Sequence, residues 1–191
     1  MKNINIKAIV FLILLWSSLE VSNAQSLPSI LITYHSESGK TQAMAEAVAE
    51  GVSQVQGVSY ILKPTSEVQQ QEILNTSAII LGSPVYNANM APQIQEFINS
   101  WPFEGRPLKD KIGAVFVTGG GFSIGEEAVM FSMIRAMMIH GMLIVGGDKV
   151  EAAFGASAIT GEGEFDGKEV QEIFLEKARG LGRRIGEIVG R

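Results

Sequence analysis

Apolar and polar positions along the chain alternate between two periods. Ser29 to His35 (SILITYH) is a short Ile-rich run bounded by Pro28 and a polar cluster, and it predicts a strand. Thr41 to Gly51 is rich in Ala and Glu, with Met44, Val48 and Gly51 on one face, and predicts a helix ended by glycine. Val58 to Lys63 predicts a second strand, and Pro64 to Leu74 a connection with a short helix. Ala78 to Gly82 (AIILG) predicts a buried strand followed by a long polar loop, and Gln93 to Ser100 a helix after Pro92. Lys111 to Thr118 predicts a strand, Glu126 to His140 a Met-rich helix and Met142 to Val145 the last strand. Val170 to Val189 predicts a long amphipathic helix, with Val170, Ile173, Phe174, Leu181, Ile185 and Ile188 on one face and Asp166 with Glu169 as a capping pair.

Five strands separated by helices imply an α/β domain with a parallel sheet covered on both faces. The strands lack polar alternation, as burial on two sides requires. In such sheets a ligand sits beyond the carboxyl ends of the strands. The loops after the strands are therefore where function is sought.

The N-terminus follows a different pattern. Lys2 and Lys7 precede or flank a nine-residue apolar run, Ala8 to Trp16, and a more polar stretch ends in Ser22-Asn23-Ala24. This is the anatomy of a secretory signal peptide cleaved after Ala24, leaving a domain over 25–191 that is exported, periplasmic or secreted. A bilayer span takes ~20 apolar residues, so no stable membrane insertion is expected after cleavage. A buried N-terminal helix and an uncleaved anchor are the alternative readings of the same run. There is no twin Arg.

Composition narrows the chemistry. With 15 Lys+Arg against 20 Asp+Glu the net charge is −5, which argues against a nucleic-acid partner. The absence of cysteine excludes disulfides, thiolate metal sites, cysteine-ligated iron–sulfur clusters and a cysteine nucleophile. Two histidines, His35 and His140, are too few for a His-rich metal site, so no metal is assigned. All 21 glycines lie after Ala24 and cluster in loops.

Three loops stand out. The first, Ser36-Glu37-Ser38-Gly39-Lys40-Thr41, joins a strand to a helix. Its hydroxyls can donate to phosphate oxygens, Gly39 admits close backbone approach, and the helix start supplies unpaired N–H groups. Gly39-Lys40-Thr41 imitates the end of a Walker A loop, but that motif needs Gly where Tyr34 stands. The second loop, Gly82 to Pro92, carries Tyr86 as a flat apolar face and Asn87 and Asn89 as amides. The third, Thr118-Gly119-Gly120-Gly121-Phe122-Ser123-Ile124-Gly125, leaves backbone N–H groups open to a planar heterocycle. Read alone, the first is also an ordinary Ser-rich turn and the third a flexible tip.

Taken together, these loops resemble those of the flavodoxin-like superfamily, most of all its WrbA-like branch of FMN-dependent NAD(P)H:quinone oxidoreductases. The first is similar to the T/S-x-T/S-G-x-T phosphate motif. Gly82, Ser83, Pro84, Asn89 and Met90 match the G-T/S-P-x-x-x-x-N-M loop, and Thr118-Gly119 the third flavin loop. His140-Gly141-Met142 resembles the His-Gly-Met of this branch. The resemblance spans about Ile30 to Val189. It implies a three-layer sandwich with a five-stranded parallel sheet in order 2-1-3-4-5.

It further implies FMN, held at its phosphate by Ser36, Glu37, Ser38, Gly39, Lys40 and Thr41. The ring would lie between Pro84, Val85, Tyr86, Asn87 and Asn89 on one side and Thr118, Gly119, Gly120, Gly121 and Phe122 on the other, with Tyr86 its first aromatic neighbour and Phe122 the second. His140 would stand near the flavin edge and act on substrate; the competing reading is a cap on the Met-rich helix. Lys40, Val85 and Ala88 replace residues commoner in the branch. Two functions follow from the resemblance: two-electron reduction of a quinone by NAD(P)H or another donor, or an exported electron carrier serving a redox partner protein. A homo-oligomer is implied in the same way.

Overall fold

The computed structural model describes residues 27–191 apart from Lys168. The signal-peptide reading of 1–24 lies outside the described residues. Seven strands are formed: β1 (Ser29–Tyr34), β2 (Ser59–Pro64), β3 (Ala78–Tyr86), β4 (Asn89–Met90), β5 (Ile112–Gly119), β6 (Leu143–Ile144) and β7 (Ala156–Ile159). The helices are α1 (Lys40–Ser53), α2 (Gln70–Asn75), α3 (Pro92–Asn99), α4 (Glu126–Ile139) and α5 (Glu172–Val189).

The main sheet is parallel and runs β2-β1-β3-β5-β6, the expected order. Its fifth position is shared. Ile112 and Gly113 of β5 pair with β6, and Phe116 to Gly119 pair with β7. Between them the chain leaves the sheet through Gly146 and Gly147 and returns at Gly155, whose φ of 146° suits glycine. The single strand expected over Met142 to Val145 is thus two short pieces. The second, ASAI, is too short and small to register as an apolar run.

Both faces are covered. α1 and α5 bury Met44, Val48, Phe174, Leu181 and Ile185 against Ile30, Ile32, Ile80 and Phe116. α3 and α4 bury Ile94, Phe97, Met130, Met133 and Met137 against Leu31, Ile79, Leu81 and Val115. α1 and α5 cross closely because Gly51 and Gly182 have no side chain: a Cβ on Gly182 would overlap the Val48 carbonyl, and one on Gly51 the Arg179 carbonyl.

Two local expectations are corrected. The segment after Gly82 is not a long loop: β3 continues to Tyr86, turns at Asn87 and Ala88 (φ 50° and 58°) and returns as β4 in a two-residue hairpin. Pro84 fits a strand here because β1 ends opposite Gly82, leaving that side of β3 unpaired. At the other end, α5 starts at Glu172 after Gln171, so Asp166 and Glu169 do not cap it, and Ile173 is exposed rather than on the buried face.

Candidate cofactor site

β1, β3 and β5 end side by side, and their loops touch one another pairwise. The Thr41 and Thr118 hydroxyls lie 2.7 Å apart, buried, and link the first loop to the third. A Cβ on Gly125 would stand 2.7 Å from that of Ala88, so the third loop rests against the hairpin turn. The Glu37 carboxylate of the first loop lies beside the Tyr86 phenol of the hairpin and acts on it electrostatically. Burial, then the Glu37 charge, raise the phenol above the usual tyrosine range.

The first loop fits a phosphate. Gly39, at φ 80°, caps α1, and nothing lies within 4 Å of where its Cβ would be. The first turn of α1 presents N–H groups without intrahelical partners. Ser36 Oγ is buried with no hydrogen-bond partner among the described residues. A buried orphan hydroxyl costs free energy unless something binds it. Ser38 and Glu37 are exposed beside it. The His35 N–H donates to the Gly82 carbonyl at 3.3 Å and fixes the loop on β3.

Lys40 departs from expectation. Its ammonium donates to the carbonyls of Thr160 and, at 2.7 Å, Gly167. Instead of adding a charge to the phosphate cradle, it ties the start of α1 to the loop after β7.

In the second loop Pro84 and Val85 are buried strand residues, and Val85 packs in the core beneath the hairpin. Val85, Tyr86, Asn87, Asn89, Met90 and Pro92 line a cavity of about 590 Å³. Asn89 closes the turn by donating to the Asn87 carbonyl at 2.9 Å. In the third loop Gly119 is buried and Gly120 is exposed, with open space where its Cβ would be. Gly121 and Phe122 face Glu162, whose carboxylate accepts from the Phe122 N–H at 2.7 Å. The Phe122 ring lies 5.9 Å from that of Phe165, so it leans toward the loop after β7.

His140 is not part of this constellation. α4 starts at the third loop and runs 14 residues, about 21 Å, back along the sheet. His140 caps its far end, beside the start of β5, where the next residue's carbonyl accepts from the Asp110 N–H. The expectation that it stands at the flavin edge of its own chain is corrected for this reason. Its ring is buried between Trp101 and Phe103, at 5.4 and 5.2 Å. Burial and then the Arg106 charge push it below the usual histidine range, so a cation paired with the helix dipole is disfavoured too.

Two groups escape a reading from sequence. Ser83 staples the hairpin base: its hydroxyl accepts from the Ala91 N–H at 3.0 Å and donates to the Pro84 carbonyl. Thr160 donates from N–H and hydroxyl to the Gly119 carbonyl, and with Glu162 it makes the loop after β7 a fourth wall. In the sequence, Gly161, Gly163 and Gly167 mark that loop, but only β7 gives it a place beside the site. Among the described residues no group of three or more His, Asp or Glu side chains is arranged to hold a metal ion, and no helix is long and apolar enough to cross a membrane.

Comparison with known proteins identifies the family. The family model described as NADPH-dependent FMN reductase matches residues 60–157, just over half of the chain. A NAD(P)H dehydrogenase (quinone) of Solidesulfovibrio magneticus is 29% identical over 85% of this chain and 98% of its own. A flavodoxin of Clostridium saccharobutylicum is 30% identical over 84% of this chain and 96% of its own. Among solved structures, the WrbA-like flavodoxin of Agrobacterium tumefaciens superposes with a TM-score of 0.68 at 22% identity, covering 85% of this chain and 97% of that one.

Proposed function

Starting from the fact that the chain belongs to the NADPH-dependent FMN reductase family, within the flavodoxin-like flavoproteins, we propose that it reduces quinones with electrons from a nicotinamide. FMN, when bound, would supply the hydride-accepting and electron-donating chemistry that the side chains lack. The balanced reaction is NAD(P)H + H⁺ + quinone → NAD(P)⁺ + quinol. The observation that carries the reading is the orphaned Ser36 hydroxyl in a glycine-capped helix start, set among three loops in mutual contact.

In this reading the chain's own residues bind and orient. Ser36, Ser38 and Thr41, with the first N–H groups of α1, hold the phosphate. Tyr86 and the Gly119–Phe122 backbone flank the ring. Glu37 stands beside Tyr86, and Glu162 holds the Phe122 N–H. Quinone-dependent NAD(P)H oxidation by the FMN-loaded protein tests it; steady turnover is expected. The curated flavodoxin relative favours a second reading, an electron carrier without quinone turnover, which the same assay separates.

Export belongs to the same proposal. Residues 1–24 act as a cleaved signal peptide, and residues 25–191 form the FMN-binding domain. N-terminal sequencing of the protein from its native host should begin at Gln25; a protein starting at Met1 would count against it. Self-association is supported by apolar side chains exposed along α4 and β6, Phe131, Met138, Ile139 and Leu143. Sedimentation would report it.

A further inference from the structure

A second cavity, of about 420 Å³, opens beside the first loop at the carboxyl end of β2. It adjoins the cofactor site on two sides. His35 precedes Ser36, and Gln93 follows Pro92 of the hairpin cavity. Nothing in the phosphate cradle or ring pocket accounts for it. Val68 and an edge of the largely buried Phe97 supply its apolar lining. Thr65 and Ser66, on the same segment as Val68, and Gln93 and Glu96, on α3 with Phe97, add hydroxyl, amide and carboxylate groups to the lining. The Nε2 atom of His35 is buried without a hydrogen-bond partner among the described residues, 3.6 Å from the Glu37 carboxylate.

A lining that mixes apolar side chains with hydroxyl, amide and carboxylate groups suits a base joined to a sugar. The cavity is large enough for a nucleoside. Glu96 brings a carboxylate from α3 to this cavity, and a carboxylate suits a ribose diol because it accepts hydrogen bonds from the 2′-hydroxyl. It repels a 2′-phosphate, which would need a Lys or Arg partner. Among the described residues, no Lys or Arg lines this cavity or the hairpin cavity. The two nearby lysines are engaged: Lys63 with Glu72 at 2.6 Å, and Lys40 with two carbonyls. A third cavity, between the start of α4 and α5, does hold Lys177, but shares it with Glu126 and Glu127.

We propose that the cavity at the end of β2 takes the adenosine end of the nicotinamide donor, with Glu96 reading a free 2′-hydroxyl, so that this protein uses NADH in preference to NADPH. The inference rests on the reductase reading above and departs from the donor in the family's description. Glu96 is a specificity residue, remote from the reacting atoms.

Two measurements test it. In the first, the FMN-loaded protein is assayed with NADH and with NADPH against one quinone. The expected kcat/KM ratio favours NADH by at least ~10-fold, and Glu96→Gln reduces that ratio by at least ~5-fold, chiefly through KM. Equal use of both donors, or preference for NADPH, overturns the proposal; the latter would redirect attention to the Lys177 cavity. The second is calorimetric titration with adenosine 5′-monophosphate and adenosine 2′-monophosphate, which needs no turnover. The 5′-phosphate should bind more tightly, and Glu96→Gln should narrow the difference. Equal affinity, no binding of either, or indifference to Glu96→Gln overturns the proposal. Absence of turnover with both donors, while nucleotide discrimination persists, would instead count against the reductase reading alone.

Discussion

The hydroxyls of Thr41 and Thr118 meet at 2.7 Å in a buried contact between the first helix and the end of the fourth sheet position. The phosphate loop and the glycine loop are therefore mechanically one unit. Thr118→Val would leave the Thr41 hydroxyl buried and unpaired, at a cost of about 1–3 kcal/mol. Thr41→Val with Thr118→Val removes both polar groups and should cost less than the sum of the single changes. Urea unfolding of the three variants checks this.

Gly182 should tolerate no side chain. Its Cβ would overlap the Val48 carbonyl of α1, which is backbone and cannot rotate away. Gly182→Ala is expected to destabilise by about 2 kcal/mol or more, despite the better helix propensity of alanine. Thermal unfolding reports it.

His140 sets a pH dependence of known sign. Its folded-state pKa lies below the ordinary value, chiefly through burial and then through Arg106. As pH falls through ~6.5, the unfolded chain takes up the proton first, so stability drops. The slope contributed is at most about 1.4 kcal/mol per pH unit. Unfolding midpoints from pH 8 to 5.5 should fall for the native chain and fall less for His140→Phe. Because His140 lies at the far end of α4, His140→Phe should leave quinone turnover per bound FMN unchanged.

Lys40→Met tests whether this lysine serves structure or phosphate. Loss of its bonds to the Thr160 and Gly167 carbonyls should lower stability by about 1–2 kcal/mol. FMN affinity should change less than about threefold, since an engaged and screened charge adds little at a distance. A tenfold loss of affinity without loss of stability would return Lys40 to the cradle.

What was legible in the sequence follows from period and burial. The strands from Ile30, Ala78 and Ile112 are apolar on both faces, so they read clearly, and the loops after them located the site. β7 did not read because Ala156 to Ile159 is four residues with two alanines, and its apolar character comes from Ile159 alone. Missing it hid Thr160 and Glu162. The hairpin did not read because Asn87-Ala88 lacks the glycine of a common turn pair, although both residues adopt positive φ. Lys40 and His140 were misplaced for a shared reason: a residue's neighbours in sequence fix its element, but not which end of the sheet its side chain reaches.

The most direct test of the account is titration of the protein with FMN, native against Ser36→Ala, followed by flavin fluorescence with unfolding measured in parallel. Ser36 Oγ has no partner among the described residues, so its removal should leave the stability of the FMN-free protein unchanged or slightly raised. A hydrogen bond to a charged group is worth roughly 1.5–3 kcal/mol, so FMN affinity should fall at least ~10-fold. One FMN per chain bound by the native protein, with that loss in the variant, is the predicted result. No binding by the native protein, or equal affinity in both, would contradict it.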